Sequence, residues 1–323
     1  MALVGIGSAA SRAHLPALSG FERTGSVVVV GVCDRDPARR DAAISAHPGA
    51  AGFADNEEML ESTSPDVLVI ATPPSAHLSE VAAAVARDVQ VLCEKPLGLS
   101  DADVATVTEL ADAHPHAALA TVHQYSHAVP WQWMARAAGG ALRAGETFGL
   151  EVRVDRPGTD PLSAGGWRAD PKREGGILGD HAVHYLSLLR LLDPGCRVAA
   201  SQRSGPGGRE TASLRVRLGA GGTATVDLSY AGSRRSNLIR LRRPAQCLAM
   251  EWEDDVFRVN HRDRPSAVRR VASLSERAMV NALYRPMYGE LVAGLGDPAW
   301  RAGATAHTLA SARLLAAAIG LAG

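Results

Sequence analysis

Short apolar runs and helix-like stretches take turns over the first 123 residues. Ala2–Ile6 is short and apolar, and Ser26–Cys33 carries the unbroken run Val27–Val30. Val67–Thr72, Val89–Cys93 and Ala118–His123 follow in the same manner. Apolar runs of about four to eight residues without polar alternation suit strands buried on both faces. Helix signals lie between them. Asp36-Pro37 opens one helix, with proline in its first turn. Ser75 reads as the cap of a helix starting near His77, with Glu80 in its first turns. Ser100, followed by Asp101 and Asp103, opens another, with acids at the positive end of the helix dipole. This alternation predicts a doubly wound parallel sheet with right-handed crossovers over residues 1–123.

Beyond residue 124 the rhythm changes. In Glu210–Leu218, Leu214, Val216 and Leu218 face one way, Arg215 and Arg217 the other. Gly219-Ala220-Gly221-Gly222 is a turn, and Thr223–Tyr230 alternates again, with Val226 and Leu228 opposite Thr225 and Asp227. That pattern is an antiparallel hairpin. Segments 237–243, 245–252 and 256–260 extend the same sheet, with a helix at 172–193 covering one face. The other face, left open, would be an exposed patch unless a second subunit covered it. His261–Arg270 is the richest basic stretch and reads as a solvated loop. Strands here follow one another without intervening helices, so residues 124–323 form an α+β domain with a large, open, mostly antiparallel sheet. Ala302–Gly323 is the longest apolar stretch, interrupted by His307 and Arg313, and reads as a packed helix and not a membrane span.

Composition narrows the functional classes. A chain of 323 residues exceeds the usual size of one core, which fits two domains. Lys plus Arg and Asp plus Glu number 34 each, so net charge is zero and the basic footprint of a nucleic-acid binder is lacking. Cys33, Cys93, Cys196 and Cys247 are widely spaced and form no CxxC pair. Neither a zinc site nor a disulfide framework is expected, and a reducing, cytoplasmic setting is. The amino terminus shows no basic segment followed by an apolar run, so no leader is expected.

The first strand runs into Gly5-Ile6-Gly7-Ser8-Ala9-Ala10, a GxGxxA form of the dinucleotide fingerprint. Gly5 permits the tight turn, Gly7 lets the backbone approach a pyrophosphate, and Ala10 allows close helix–strand packing. The N–H groups at Ser8 and Ala9 open the helix that faces the anion. Asp34 ends the second strand, where a carboxylate binds the adenosine ribose hydroxyls of a Rossmann domain. Asp34 argues for NAD, since it would repel a 2′-phosphate. The adjacent Arg35 could pair with one, so NADP stays open. A lone glycine turn is weak evidence, but a strand before it and a helix after it strengthen it.

Further segments resemble the Gfo/Idh/MocA family, the glucose–fructose oxidoreductase and inositol dehydrogenase group. They are His14-Leu15-Pro16-Ala17-Leu18, Ala71-Thr72-Pro73-Pro74-Ser75-Ala76-His77, and Glu94-Lys95-Pro96. Trp167-Arg168, Gly175-Gly176 and Asp180-His181-Ala182-Val183-His184 complete the set, in order and spacing, over residues 3–190. The resemblance implies a cis Lys95–Pro96 bond. It implies a cofactor lined by Thr72, Pro73, His77, Glu94, Lys95, His123, Trp167 and Arg168, and a substrate held by Lys95, His123, Tyr125, Asp180 and His184. It also implies a homodimer or homotetramer formed through the second sheet. The activity implied is hydride transfer between a nicotinamide and a small polyhydroxylated substrate such as a sugar or cyclitol. Alternatives are an imine or ketone reductase, an NAD-dependent glycosidase, and a non-catalytic nucleotide sensor.

The residues themselves suit this chemistry. Alcohol oxidation needs a group that takes the hydroxyl proton, and histidine serves in both directions near neutral pH. Asp180 and His184, four apart in a helical stretch, share a face, with His181 on another. Lys95, at the carboxyl edge of the sheet, polarises the substrate oxygen or joins the proton relay, and Glu94 orients or balances its charge. Lys95 and His184 are expected to converge from two domains on one substrate oxygen. Three departures from the family pattern stand out: Ala182 for glycine, Ser187 for aspartate, and His123-Gln124-Tyr125 for an Asn-Arg type sequence.

Overall fold

The apolar runs of the first 123 residues do form a parallel sheet. The structure, a computed structural model, describes residues 1–159, 175–206, 209–219, 221–271 and 280–323. The described residues fall into two units, Met1–Gln124 with those of Glu276–Leu309, and those of Tyr125–Ser275 with Ala310–Gly323.

In the first unit, six strands lie parallel: β1 (Ala2–Val4), β2 (Gly31–Cys33), β3 (Ala51–Phe53), β4 (Val67–Ile70), β5 (Gln90–Cys93) and β6 (Leu119–Thr121). Their order is β3-β2-β1-β4-β5-β6, a doubly wound sheet whose direction of winding reverses beside β1. Every residue of β4 is wholly buried, as an apolar run between two helical layers requires. The strands are shorter than the apolar runs, for Ser26–Cys33 pairs with β1 only at Gly31–Cys33. Helices α1 (Leu15–Glu22), α2 (Pro37–Ala46), α3 (Asn56–Thr63), α4 (Pro74–Val85) and α5 (Asp101–Ala113) connect them. A π-helical turn, Ala10–His14, leads into α1.

The helix starts follow their capping chemistry. Asp36 accepts the Ala38 N–H, and Ser100 with Asp103 forms a complete capping box. The expected cap at Ser75 is not formed. Helix α4 begins at Pro74 behind Pro73, without a side-chain cap, because proline already has the first-turn φ and lacks the N–H a cap would satisfy. Glu80 instead accepts the Thr72 hydroxyl at 2.5 Å. Burial pushes its carboxyl up to about 7, against the Thr72 bond and the charge of Arg35.

The last helix, α9 below, is Pro298–Ala322, and the division between units falls inside it at Leu309. By length and composition it could cross a membrane. Part of it packs inside the protein: Leu315 and Ala318 are wholly buried. Thr305 and Thr308, one turn apart, accept the backbone N–H groups of Leu119 and Thr121 at 3.0 and 3.1 Å. These are donors on the outer edge of β6, and the two hydroxyls close an edge that would otherwise stay open.

The second unit holds, among the described residues, an eight-stranded sheet. It comprises β7 (Gly149–Pro157), β8 (Arg197–Ser204), β9 (Thr211–Arg217), β10 (Thr223–Gly232), β11 (Ser236–Arg243), β12 (Leu248–Glu253), β13 (Val256–His261) and β14 (Arg264–Arg270), ordered β14-β13-β12-β11-β7-β10-β9-β8. The expected hairpin is present, with Val226 opposite Leu214 and Thr225 opposite Arg215. Only the β7–β10 pair is parallel. Two expectations are corrected. First, the basic stretch is not a loop throughout, because Arg264–Arg270 pairs along β13 as a fully exposed edge strand. Solvated on both faces, it has no alternation to reveal it. Second, the open face is no apolar patch. Leu150, Val152 and Val154 of β7 point into the core, whereas the other face carries a ladder of Arg153, Glu151, Arg240 and Glu251 joined at 2.5–2.9 Å.

Helices α6 (Val129–Arg143) and α7 (Val183–Leu192) belong to this unit, and α8 (Arg285–Gly294) to the first. A π-helical turn, Leu178–Ala182, leads into α7. The segment before that turn explains one glycine. Gly176 has φ +57°, and a Cβ there would meet the Glu210 carboxylate at 2.6 Å. That buried carboxylate accepts the Ile177 N–H at 2.8 Å, serving as the cap of the helical segment.

Gly176→Ala should therefore lower stability by about 2 kcal/mol or more, through left-handed strain and a displaced carboxylate. A denaturant midpoint equal to the parent's would refute this packing. Glu80 gives a pH dependence of defined sign. Its folded-state value lies above the ordinary one, so the proton it holds stabilises the fold at low pH. That contribution is lost as pH rises through about 7, and a displacement from 4.5 to about 7 corresponds to roughly 3 kcal/mol. Glu80→Gln should flatten the fall in melting temperature between about pH 5 and pH 8, as differential scanning fluorimetry would show.

Candidate active site

Loops at the carboxyl edge of the parallel sheet carry the sequence-named residues of the first unit. Gly5 turns with φ +84°, and a Cβ there would strike the Thr72 nitrogen at 2.6 Å. Glycine alone fits. At Gly7 a Cβ would meet nothing within 4 Å, so the loop backbone presents a clear face at the start of the following helix. Ser8 is exposed there, Ala9 partly so, and Ala10 is wholly buried against the sheet. Asp34 is tied to the same loop: Oδ2 accepts the Ile6 N–H at 2.7 Å and Oδ1 the Asp36 N–H at 2.9 Å. These features fit a dinucleotide, with free N–H groups for the pyrophosphate and a fixed carboxylate for the ribose. A groove of about 630 Å³ runs from Gly7 and Ser8 past Arg39 to His47.

The sequence reading named Arg35, which is exposed, and missed its neighbours. Arg39 lies 3.8 Å from Asp34 Oδ2, and Arg40 donates to the Asp34 carbonyl at 2.7 Å. The Asp36-Pro37 helix start was the signal, since it turns residues 39 and 40 back toward the strand end.

Lys95 follows β5, and its bond to Pro96 is cis, as the resemblance implied. Glu94 is buried, and its polar contacts are well defined. Oε1 receives His14 Nε2 at 3.0 Å and the Tyr284 hydroxyl at 3.4 Å; Oε2 receives the backbone N–H of Lys95 at 3.2 Å. Burial alone would raise this carboxyl, but the hydrogen bond from His14 and the Lys95 charge nearby hold it below its ordinary range. His77 is 1% exposed. Its ring bridges two carbonyl oxygens, Pro96 at 2.8 Å and Thr72 at 2.9 Å. Burial drives its pKa down despite those contacts. Pro73 is exposed beside Thr72. His123 bonds to the Thr121 hydroxyl, and its ring packs edge-on against His307 at 4.7 Å. Sequence reasoning did not assign roles to Tyr284, Tyr288 and His307, which lie far along the chain in segments without a motif.

The second unit carries the other sequence-named residues. Asp180 lies in the π-helical turn, and the Tyr230 hydroxyl donates to its Oδ2 at 2.8 Å. His181 Nε2 is 3.8 Å from the same oxygen, and its ring meets Tyr230 edge-on at 5.6 Å. His184 packs instead against Tyr125, with ring centres 4.7 Å apart, and Tyr125 also meets Tyr185 at 6.3 Å. Asp180 and His181 sit within the π-helical turn, and His184 lies in the first turn of α7. Ala182 and Ser187 are wholly buried, so an aspartate at 187 would have been a charge in the core. Trp167 and Arg168 lie outside the described residues.

Known proteins share these features. Residues 1–122 match the oxidoreductase family with an NAD-binding Rossmann fold, and residues 134–242 match the GFO/IDH/MocA C-terminal domain. An inositol 2-dehydrogenase of Pseudarthrobacter chlorophenolicus is 42% identical over 76 residues, 24% of this chain and 23% of that one. A D-apiose dehydrogenase of Paraburkholderia graminis is 30% identical over 244 residues, 73% of this chain and 62% of that one. The chain thus spans less than two thirds of the length of these curated relatives. The WlbA dehydrogenase of Chromobacterium violaceum, solved with NADH and UDP-GlcNAcA, has a TM-score of 0.78 at 20% identity, covering 99% of this chain and 92% of that one, a likeness of fold. With both domains matched in order, the chain belongs to the Gfo/Idh/MocA family of oxidoreductases, whose amino-terminal domain is an NAD-binding Rossmann fold.

Proposed function

We propose that the protein transfers a hydride between NAD and a small polyhydroxylated substrate, a sugar or cyclitol. One observation carries the reading: the glycine turn after β1, Asp34 after β2 and Lys95 after β5 all lie at the carboxyl edge of one parallel sheet. Open α/β sheets bind their ligands at that edge. On the turn that Gly5 makes, the N–H groups of Gly7, Ser8, Ala9 and Ala10 hold the pyrophosphate, and Asp34 takes the ribose hydroxyls. Thr72, Pro73 and His123 flank the cofactor. Bound NAD supplies the hydride acceptor. Lys95 polarises the substrate oxygen, His184 takes the hydroxyl proton, and Asp180, oriented by Tyr230, binds a neighbouring hydroxyl. The relatives named for inositol and apiose support this substrate class.

A second reading is a ketone or imine reductase, favoured by the aromatic packing of Tyr125 on His184. Further, we place the protein in the cytoplasm, in keeping with four unpaired cysteines. We also propose a homo-oligomer formed through the second sheet, whose alternating charges suit a self-complementary contact.

Gly7→Val should abolish NAD binding in calorimetry, and undiminished affinity would remove the cofactor assignment. A screen of polyols with NAD and with NADP, read in the near ultraviolet, should show reduced NAD. Sugar release without it would indicate a glycosidase, and binding without turnover a sensor. Lys95→Ala and His184→Ala should each lower kcat by about 10²–10⁴-fold, Asp180→Ala by less. If His181→Ala proved inactive and His184→Ala normal, with both folded, the proton would belong to His181. A monomeric mass in light scattering at micromolar concentration would contradict the oligomer.

A further inference from the structure

The chain contains only two lysines, Lys95 and Lys172, against 32 arginines. Both residues flanking Lys95 are held by buried histidines. On the amino-terminal side, Glu94 is gripped by His14, which is itself wholly buried. His14 Nδ1 meets the Tyr288 hydroxyl at 2.6 Å. One arrangement satisfies every group: Tyr288 donates to Nδ1, and the Nε2 proton goes to Glu94. Burial pushes the Tyr288 phenol well up, which keeps its proton available for donation. On the carboxyl-terminal side, the Pro96 carbonyl is held by His77, whose other nitrogen faces the Thr72 carbonyl beside the glycine turn.

The local backbone supports a special role for this cluster. His14 ends one π-helical turn and Tyr284 ends another, Val280–Tyr284. Such turns cost hydrogen-bond geometry and occur often at functional sites. Here each delivers a side chain to the same Glu94 oxygen.

We propose that His14 and His77 are positioning residues for Lys95, fixing the turn that carries it in register with the cofactor loop. The proposal rests on the role given to Lys95 above. Neither histidine touches substrate or cofactor in it: His77, which the resemblance counts with the cofactor lining, is 1% exposed and acts from behind the Thr72 loop, so each works through a neighbour of the lysine or of that loop.

The test uses the full-length protein with NAD and the substrate found in the screen. His14→Leu and His77→Leu should each lower kcat by about 10²-fold while NAD affinity in calorimetry stays within about threefold. His14→Gln, whose amide N–H can still reach Glu94, should recover much of that loss. A second readout needs no turnover. Acylation of Lys95 by an amine-reactive ester, measured by mass spectrometry relative to Lys172, should accelerate several-fold in the leucine variants and not in His14→Gln. Normal kcat and unchanged labelling in folded leucine variants, with Lys95→Ala inactive, would overturn the proposal. So would an NAD affinity that falls as far as kcat. If Lys95→Ala keeps full turnover, the proposed function fails first, and the labelling ratio still decides whether the histidines hold the lysine. Should a leucine variant show no cooperative melting, Tyr288→Phe, which removes the hydroxyl that holds His14 Nδ1, and His77→Asn, too short to reach both carbonyls, carry the same comparison.

Discussion

A carboxylate taken out of water must find donors or take up a proton. Glu94 finds three donors, and they come from widely separated parts of the chain: an imidazole from residue 14, a phenol from residue 284 and the N–H of its own successor. Much of the first unit is arranged around that requirement. The helix after the glycine turn carries a π-helical turn at His14. The segment that returns near the end of the chain brings Tyr284 and Tyr288. Lys95 is held in place as part of the same solution, because its own backbone is one of the donors.

The second unit solves a similar problem with different chemistry. Glu210, also buried, caps the helical segment ahead of Asp180, and Tyr230, twenty residues further on, donates to Asp180 itself. Both anchors flank or lie within the β9–β10 hairpin, so the most regular part of the sheet sets the least regular turn of the helix. Breaking either bond would take a donor away from a buried carboxylate, which costs more than the bond is strong.

How much of this the sequence showed follows from the range of each interaction. Strands β4 and β5 were legible because burial on both faces leaves an unbroken apolar run. The β9–β10 hairpin was legible because burial on one face leaves alternation. By contrast, β3 is exposed and β14 is solvated on both faces, and neither carries a clear pattern. β7 does alternate, Leu150, Val152 and Val154 against Glu151, Arg153 and Asp155, and was missed because no neighbouring turn signal marks it as one arm of a hairpin. The glycine turn, Asp34, Lys95, Asp180 and His184 were visible because local motifs announce them. Tyr230, Tyr284 and Tyr288 were not, because their importance lies wholly in contacts made across 50 to 274 residues of chain. The π-turns were hidden as well, since in five-residue segments the shift in periodicity touches too few apolar positions to show.

The threonines of the last helix have a consequence for how the protein comes into being. Thr305 and Thr308 close the edge of β6, and Tyr284 and Tyr288 complete the cage of Glu94 and His14. All four leave the ribosome long after the glycine turn, Asp34 and Lys95. During synthesis the nucleotide-binding part therefore waits with an open strand edge and an uncompensated carboxylate until residues 284–308 emerge. Quality control is thus built into the order of translation: a truncated chain retains the cofactor motif yet lacks the parts that finish its sheet and its lysine turn.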